Sequence, residues 1–332
     1  MVEQIHLLFT RLIGILHYLC TEIAHYQGTN MSGSNRLLYL FIAFVVVAIW
    51  GSTFVFTKLL LTNGLSPAQI FTLRFIIAYL LLLFLEWYWH RRLHKPLQLF
   101  CHSRLDELIM AGLGLTGGSL YFLGENAAML YTSATNTSLI VCSCPLFTMV
   151  AMALVYRDEH FTHRQISGSL MACLGMAIVV LNGHFVLHLS PLGDLLAFSA
   201  CISWAFYSLL IKQAAQRYTT LFITRKVFFY GIVTIFPYYL FFPVLPPLST
   251  LLRADILANL LFLSCVASLL CFLAWNLVIK KLGPVETTNW VYFNPITTII
   301  FAQWLLNEPI TPYFLVGTVL ILGGMYMARG ER

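Results

Sequence analysis

Charge is what this chain has least of. Of its 332 residues, 19 are Lys or Arg and 13 are Asp or Glu, 10% in all, where a soluble domain carries about 25%. So few charges cannot cover a soluble surface of this size. That excludes a cytosolic globular protein, a secreted enzyme and a disordered chain. A GxxxxGKS/T phosphate loop and an HExxH helix are also missing, so ATP-driven pumping and metal-dependent hydrolysis find no support. Eight cysteines are present, but none forms a CxxC pair or sits at ligand spacing from a histidine. Cys142, Cys144, Cys173, Cys201, Cys265 and Cys271 fall in apolar runs and read as small packing residues. No cofactor, no metal and no catalytic residue is expected. The net charge of +6 is scattered through short loops and forms no stripe, so nucleic acid is not an expected partner.

What the chain has is apolar sequence: 59% hydrophobic residues and a mean hydropathy of +0.82. One bilayer crossing takes about 20 apolar residues. The runs predict ten helices, near 37–59, 68–88, 107–129, 134–155, 165–182, 192–212, 221–243, 255–279, 285–306 and 312–328. They lack the alternation of a barrel strand, so helices are the spanning element. The expected class is an all-α polytopic membrane protein whose solvent is the lipid bilayer.

Residues 1–35 precede the first run. Their apolar stretch is broken by Arg11 and His17. They lack a basic start and a small-residue cleavage site, so they make a poor signal peptide. They read either as an interfacial helix or as an over-long start, with Met31 beginning the chain proper.

Basic residues sort the loops. Arg36, then Arg91, Arg92, Lys95 and Arg104, then Arg157 and Arg164, then Lys212 and Arg217, then Lys280 and Lys281, and finally Arg329 and Arg332 occupy alternate connections. The other connections are nearly free of them, with Arg253 the exception. The positive-inside rule then places both termini in the cytoplasm.

The two halves resemble each other. Residues 121–145 align without gaps on 271–295, matching Phe122, Leu123, Asn126, Thr137, Val141 and Pro145 to Phe272, Leu273, Asn276, Thr287, Val291 and Pro295. Gly168 and Gly175 match Gly317 and Gly324; Trp50 and Lys58 share the spacing of Trp204 and Lys212. The expected domains are 36–183 and 190–329. Five helices per half is an odd number, so the second half must be inverted, a recurring design of secondary transporters that rock about a midplane site. A duplication kept only as a scaffold is the bland alternative.

The stretches IWGSTFVFTK (Ile49–Lys58), GENAAMLYTSATNTSLI (Gly124–Ile140), CPLFT (Cys144–Thr148) and DEHFTHRQISG (Asp158–Gly168), together with GDLLAFSACISWAFYSLLIK and NPITTIIFAQWLLNEPIT, resemble the EamA-type members of the drug/metabolite transporter superfamily over about residues 36–328. The resemblance implies ten helices in two inverted repeats, a central cavity, and efflux of small metabolites such as amino acids across a bacterial inner membrane. DEHFT departs from the usual pattern only in the residue before Glu159.

Glu125 is the sharpest candidate. It stands alone in an apolar run, where a charge costs about 2.5–3.5 kcal/mol on insertion scales. It reads as a proton-coupling or substrate-ammonium site, or else as a structural ion pair. Arg74 and Lys226 occupy similar places in the two halves and are its possible partners, although Lys226, like Lys58, also reads as a snorkelling residue. The amides Asn126, Asn276, Asn136, Asn289 and Asn294 suit a polar substrate, or serve as interhelical glue. Trp50, Trp204, Trp275, Trp290 and Tyr292 are candidate cavity walls. Pro145 and Pro295 are candidate hinges. Glu159 and Glu308 read as caps of the following helices. The glycines of Ala111–Ser119 read as packing residues. The expected function is a secondary transporter of small molecules, with a proton as a possible co-substrate, acting as a monomer or homodimer. The alternatives are an integral membrane enzyme, or a receptor or scaffold that transports nothing.

Overall fold

The computed structural model describes residues 33–93, 98–132, 134–156, 161–181, 190–242, 246–306 and 312–328. The extension at 1–32, Glu159, Glu308 and the side chain of Asn136 lie outside them.

Local signals in the sequence start and stop the helices. Ser66 and Gln69 cap each other reciprocally, the Ser66 N–H on Gln69 Oε1 at 3.0 Å and the Gln69 N–H on Ser66 Oγ at 3.2 Å, just where Pro67 opens a helix. Thr162 and Gln165 repeat the device. Ser103, Ser190 and Thr219 each accept a first-turn N–H. Gly283, at φ +86°, ends a helix before Pro284 opens the next.

The resulting elements are α1 (Gly33–Thr62), α2 (Pro67–Leu93) and α3 (Arg104–Gly114), which runs through a π segment (Leu115–Ser119) into α4 (Leu120–Tyr131). There follow α5 (Ala134–Val141), α6 (Cys144–Val155), α7 (His163–Leu181), α8 (Pro191–Ala214) and α9 (Thr220–Ile235), which tightens into 3₁₀ at Phe236–Leu240. After the short α10 (Leu248–Leu251), α11 (Ala254–Leu261) passes through a π segment (Phe262–Leu270) into α12 (Cys271–Leu282). Then come α13 (Pro284–Thr288), a 3₁₀ stretch (Asn289–Phe293), α14 (Asn294–Leu306) and α15 (Pro312–Met327).

No strand occurs among the described residues. Six helical stretches are long and apolar enough to cross a membrane: Arg36–Thr62, Pro67–Tyr88, Arg104–Tyr131, Pro191–Ala214, Thr220–Leu240 and Ala254–Leu282. Shorter apolar helices, Cys144–Val155 and Leu315–Met327, accompany them. The chain is a polytopic helical membrane protein.

Of the runs expected as continuous helices, 134–155 is broken, and 285–306 is helical throughout but changes pitch. The first parts at Cys142–Ser143; the second winds through 3₁₀ at Asn289–Phe293. Pro145 stands in the first turn of α6 after the break, where a missing N–H costs nothing. Pro295 is the second residue of α14, directly after the 3₁₀ stretch and inside the helical path.

The bundle has two distinguishable ends. At one, Arg36 pairs with Glu286 at 2.8 Å, Arg217 with Asp106 at 2.7 Å, and Lys212 lies 4.0 Å from the Tyr156 ring centre. The segments expected on the basic side thus meet one another. At the other end, Lys58 donates to the Met129 carbonyl at 2.8 Å and Thr72 meets the Tyr239 hydroxyl at 2.6 Å.

Residues matched between the halves also meet. Trp50 and Trp204 pack edge to face with ring centres 5.8 Å apart, and Phe122 lies 6.3 Å from Phe272. α7 crosses α15 on glycines: a Cβ on Gly168 would stand 2.7 Å from the Gly324 carbonyl oxygen, and one on Gly175 2.7 Å from that of Gly317. Backbones this close admit no side chain, which is how small residues bring membrane helices together.

Candidate functional site

A central cavity lies where these helices converge. Trp50, Thr53 and Phe54 of α1, Arg74 of α2, and Tyr121, Phe122 and Glu125 of α4 line one part. Val141, Cys144, Trp204, Phe272, Val291 and Asn294 complete it. As it stands the space is narrow, about 30 Å³, room for about two water molecules, so a substrate would need these walls to move apart. Cys144 and Asn294 are the first residues of α6 and α14, and the start of α6 after Cys142–Ser143 is a helix N-terminus at the cavity wall.

Arg74 and Glu125 are buried side chains of opposite sign in this one cavity. Each feels the other's charge across the cavity without touching it. Arg74 Nε donates to Ser268 Oγ at 2.7 Å, and the guanidinium carbon sits 4.5 Å over the Phe122 ring. Glu125 accepts only the Tyr121 hydroxyl, at a long 3.3 Å. No ion pair joins Arg74 to Glu125 among those of the described residues. Asn294 Oδ1, buried, has no hydrogen-bond partner. Six of the remaining lining residues are aromatic, with Trp50 also 5.9 Å from Phe272 and Tyr121 4.9 Å from Trp204.

Six of the expected site residues stand back from the cavity, Asn289 and Trp290 among them, beside Leu40 and Glu286. Asn126 Nδ2 reaches the Pro67 carbonyl at 3.3 Å, pinning α4 to the start of α2. Asn276 bonds Tyr207 and Thr224. Trp275 is fully buried behind Trp50, ring centres 4.9 Å apart. Tyr292 is fully buried in the 3₁₀ stretch. The glycines of Ala111–Ser119 do pack, and more: they form the π segment ahead of α4, with the Tyr207 ring resting on Gly117.

Sequence reasoning missed a second charged cluster at the basic end. Arg225 of α9 pairs with Glu86 of α2 and donates to the Gln98 carbonyl. Its neighbour Lys226 pairs with Glu107 of α3, which also accepts the Tyr230 hydroxyl at 2.5 Å and the Cys101 N–H at 2.9 Å. Lys226 is therefore buried and paired, neither a snorkelling residue nor a partner of Glu125. Asp106 accepts from Arg217 and, at 2.9 Å, from the Tyr218 hydroxyl. Burial, with Glu107 beside it, pushes the Cys101 thiol in the loop before α3 up to about 12, so it stays protonated and unreactive. The available signal was Arg225–Lys226 inside an apolar run and Asp106–Glu107 opening another.

A multi-pass helical bundle with charged groups in a central cavity is an architecture that membrane transporters use. Residues 37–181 and 191–330 each match the EamA-like transporter family, and the chain belongs to that family. Among its relatives, an uncharacterized transporter of Archaeoglobus fulgidus is 26% identical over 90% of this chain and 99% of its own. A protein of Salmonella typhimurium named a probable amino-acid metabolite efflux pump is 27% identical over 86% and 93%. One of Streptantibioticus cattleyicolor named a probable terminal-alkyne amino-acid exporter is 26% identical over 68% and 74%. A solved crystal structure superposes with a TM-score of 0.68 at 18% identity, over 87% of this chain and 95% of that one, so the fold is shared. The protein is a transporter and not an enzyme.

Proposed function

We propose that the chain exports small zwitterionic metabolites, amino acids foremost, across a bacterial inner membrane by alternating access. Ten crossings in two inverted five-helix repeats (36–183 and 190–329) would carry it, with both termini in the cytoplasm. Supporting the repeat are the doubled family match and the reciprocal glycine contacts, Gly168 on Gly324 and Gly175 on Gly317. Each glycine meets the counterpart of the other, as a twofold axis requires.

The observation that carries the substrate class is the pair of opposite charges that share one cavity without a direct ion pair. Arg74, with the α6 helix start in the same cavity, suits a carboxylate. Glu125 suits an ammonium group. Trp50, Trp204 and Phe272 suit an apolar side chain. The names of the Salmonella and Streptantibioticus relatives point to the same class.

Flux into proteoliposomes tests this. Purified protein should accumulate or release a radiolabelled neutral amino acid, and Glu125→Gln and Arg74→Gln should each lower the rate at least about tenfold, the scale of one lost charged contact. Equal flux of a neutral, uncharged metabolite in wild type and both variants would sink the reading.

A further inference from the structure

The surroundings of the cavity break the twofold pattern in two places, and each time a bond made by one copy is unmade by the other. Asn276 is a bridge: the Tyr207 hydroxyl donates to its Oδ1 at 2.5 Å, and its Nδ2 donates to Thr224 Oγ1 at 2.9 Å. All three side chains are buried, and they tie α8, α9 and α12 together in the half nearer the basic loops. The matched amide is Asn126. The register of Trp50 on Trp204 puts Thr53 opposite Tyr207, and that of Arg74 on Lys226 puts Thr72 opposite Thr224. Yet Asn126 bonds neither. It reaches the Pro67 carbonyl at 3.3 Å, while Thr53 donates to the Trp50 carbonyl at 2.7 Å and Thr72 meets Tyr239 at 2.6 Å.

The tryptophans differ likewise. Trp50 Nε1 donates to the carbonyl of Ala267, in the second π segment, at 2.9 Å. Trp204 Nε1 is buried and has no partner. Gly117, the counterpart of Ala267, is instead covered by the Tyr207 ring, 2.2 Å from where a Cβ would be. A buried donor left unmade costs free energy, so a conformation that satisfies it is favoured by that amount.

We infer that Asn276 and Asn126 are alternating latches of the transport cycle, an inference that rests on the alternating-access reading. In this conformation Asn276 holds the cytoplasmic half shut through Tyr207 and Thr224. In the opposite one Asn126 closes on Thr53 and Thr72, Trp204 Nε1 takes the Gly117 carbonyl that Tyr207 vacates, and Asn276 releases Tyr207. Exchanging one set of bonds for its repeat-related equivalent keeps the two conformations close in free energy. A transporter needs that closeness to populate both.

The test uses the full chain in lipid nanodiscs, its native cysteines replaced, with spin labels at Arg104→Cys on α3 and Lys281→Cys on α12. Wild type should give two separations, short for the closed cytoplasmic half and long for the open one. Tyr207→Phe deletes one oxygen and keeps the ring on Gly117. It should raise the long-to-short ratio about fivefold, the weight of one neutral hydrogen bond. Adding Asn126→Ala should bring the ratio back toward wild type. Two separations that Tyr207→Phe leaves unchanged, or that Asn126→Ala moves the same way, overturn the latch and leave alternating access standing. A single separation with and without a neutral amino acid overturns both.

Discussion

The basic end of the bundle and its central cavity both bury charge, but they treat it differently. At the basic end every buried charge among the described residues meets its opposite: Glu86 meets Arg225, Glu107 meets Lys226, and hydroxyls and backbone groups fill the remaining positions. In the cavity Arg74 and Glu125 stand in one enclosure without pairing. Removing a charge from water is costly whether or not it finds a partner. A satisfied pair repays that cost at once and joins helices. An unsatisfied one leaves binding capacity for something that arrives. The first arrangement is architecture, and the second is what the proposed function takes as its site.

That contrast breaks most visibly under single substitutions at the basic end. Arg225→Met strands the Glu86 carboxylate, and thermal unfolding in detergent should show a loss of about 3–5 kcal/mol. The double variant Glu86→Met/Arg225→Met removes both charges and should recover most of the loss. Equal instability of single and double variants would mean that the pair is not what holds α2 to α9.

The cavity should behave the other way. Glu125→Gln and Arg74→Gln are expected to change unfolding by less than the loss in Arg225→Met, because neither breaks a direct ion pair and each removes a buried charge. Their effect belongs in transport. A loss as large as that of Arg225→Met would class the cavity charges as structural. Smallest of all should be Arg253→Ala. Its pair with Asp255 at 2.7 Å is exposed on both sides, and such pairs contribute about 0–1 kcal/mol.

Much of the fold was legible because each apolar run has only one way to satisfy its backbone in lipid. The break and the change of pitch were not. Cys142–Ser143 carries neither glycine nor proline, and the 3₁₀ stretch Asn289–Phe293 is as apolar as a helix; only Pro145, in the first turn after the break, records a helix start. Glu125 and Arg74 could be read from position alone, since a lone charge in an apolar run must face something polar. The Glu86–Arg225 and Glu107–Lys226 pairs could not, because their partners lie more than 100 residues apart in sequence. Asn126 and Asn276 were visible as a matched pair, but whether an amide faces a cavity or a neighbouring helix depends on helix rotation, which hydropathy does not encode.

The central claim is that Arg74 reads a carboxylate and Glu125 an ammonium in the same ligand. Calorimetric binding to the purified protein tests it most directly, comparing a neutral amino acid with its decarboxylated amine. Wild type should bind the amino acid at least about tenfold more tightly, as expected of a charged hydrogen bond, and Arg74→Gln should bind the two alike. Undiminished discrimination in Arg74→Gln would contradict the account.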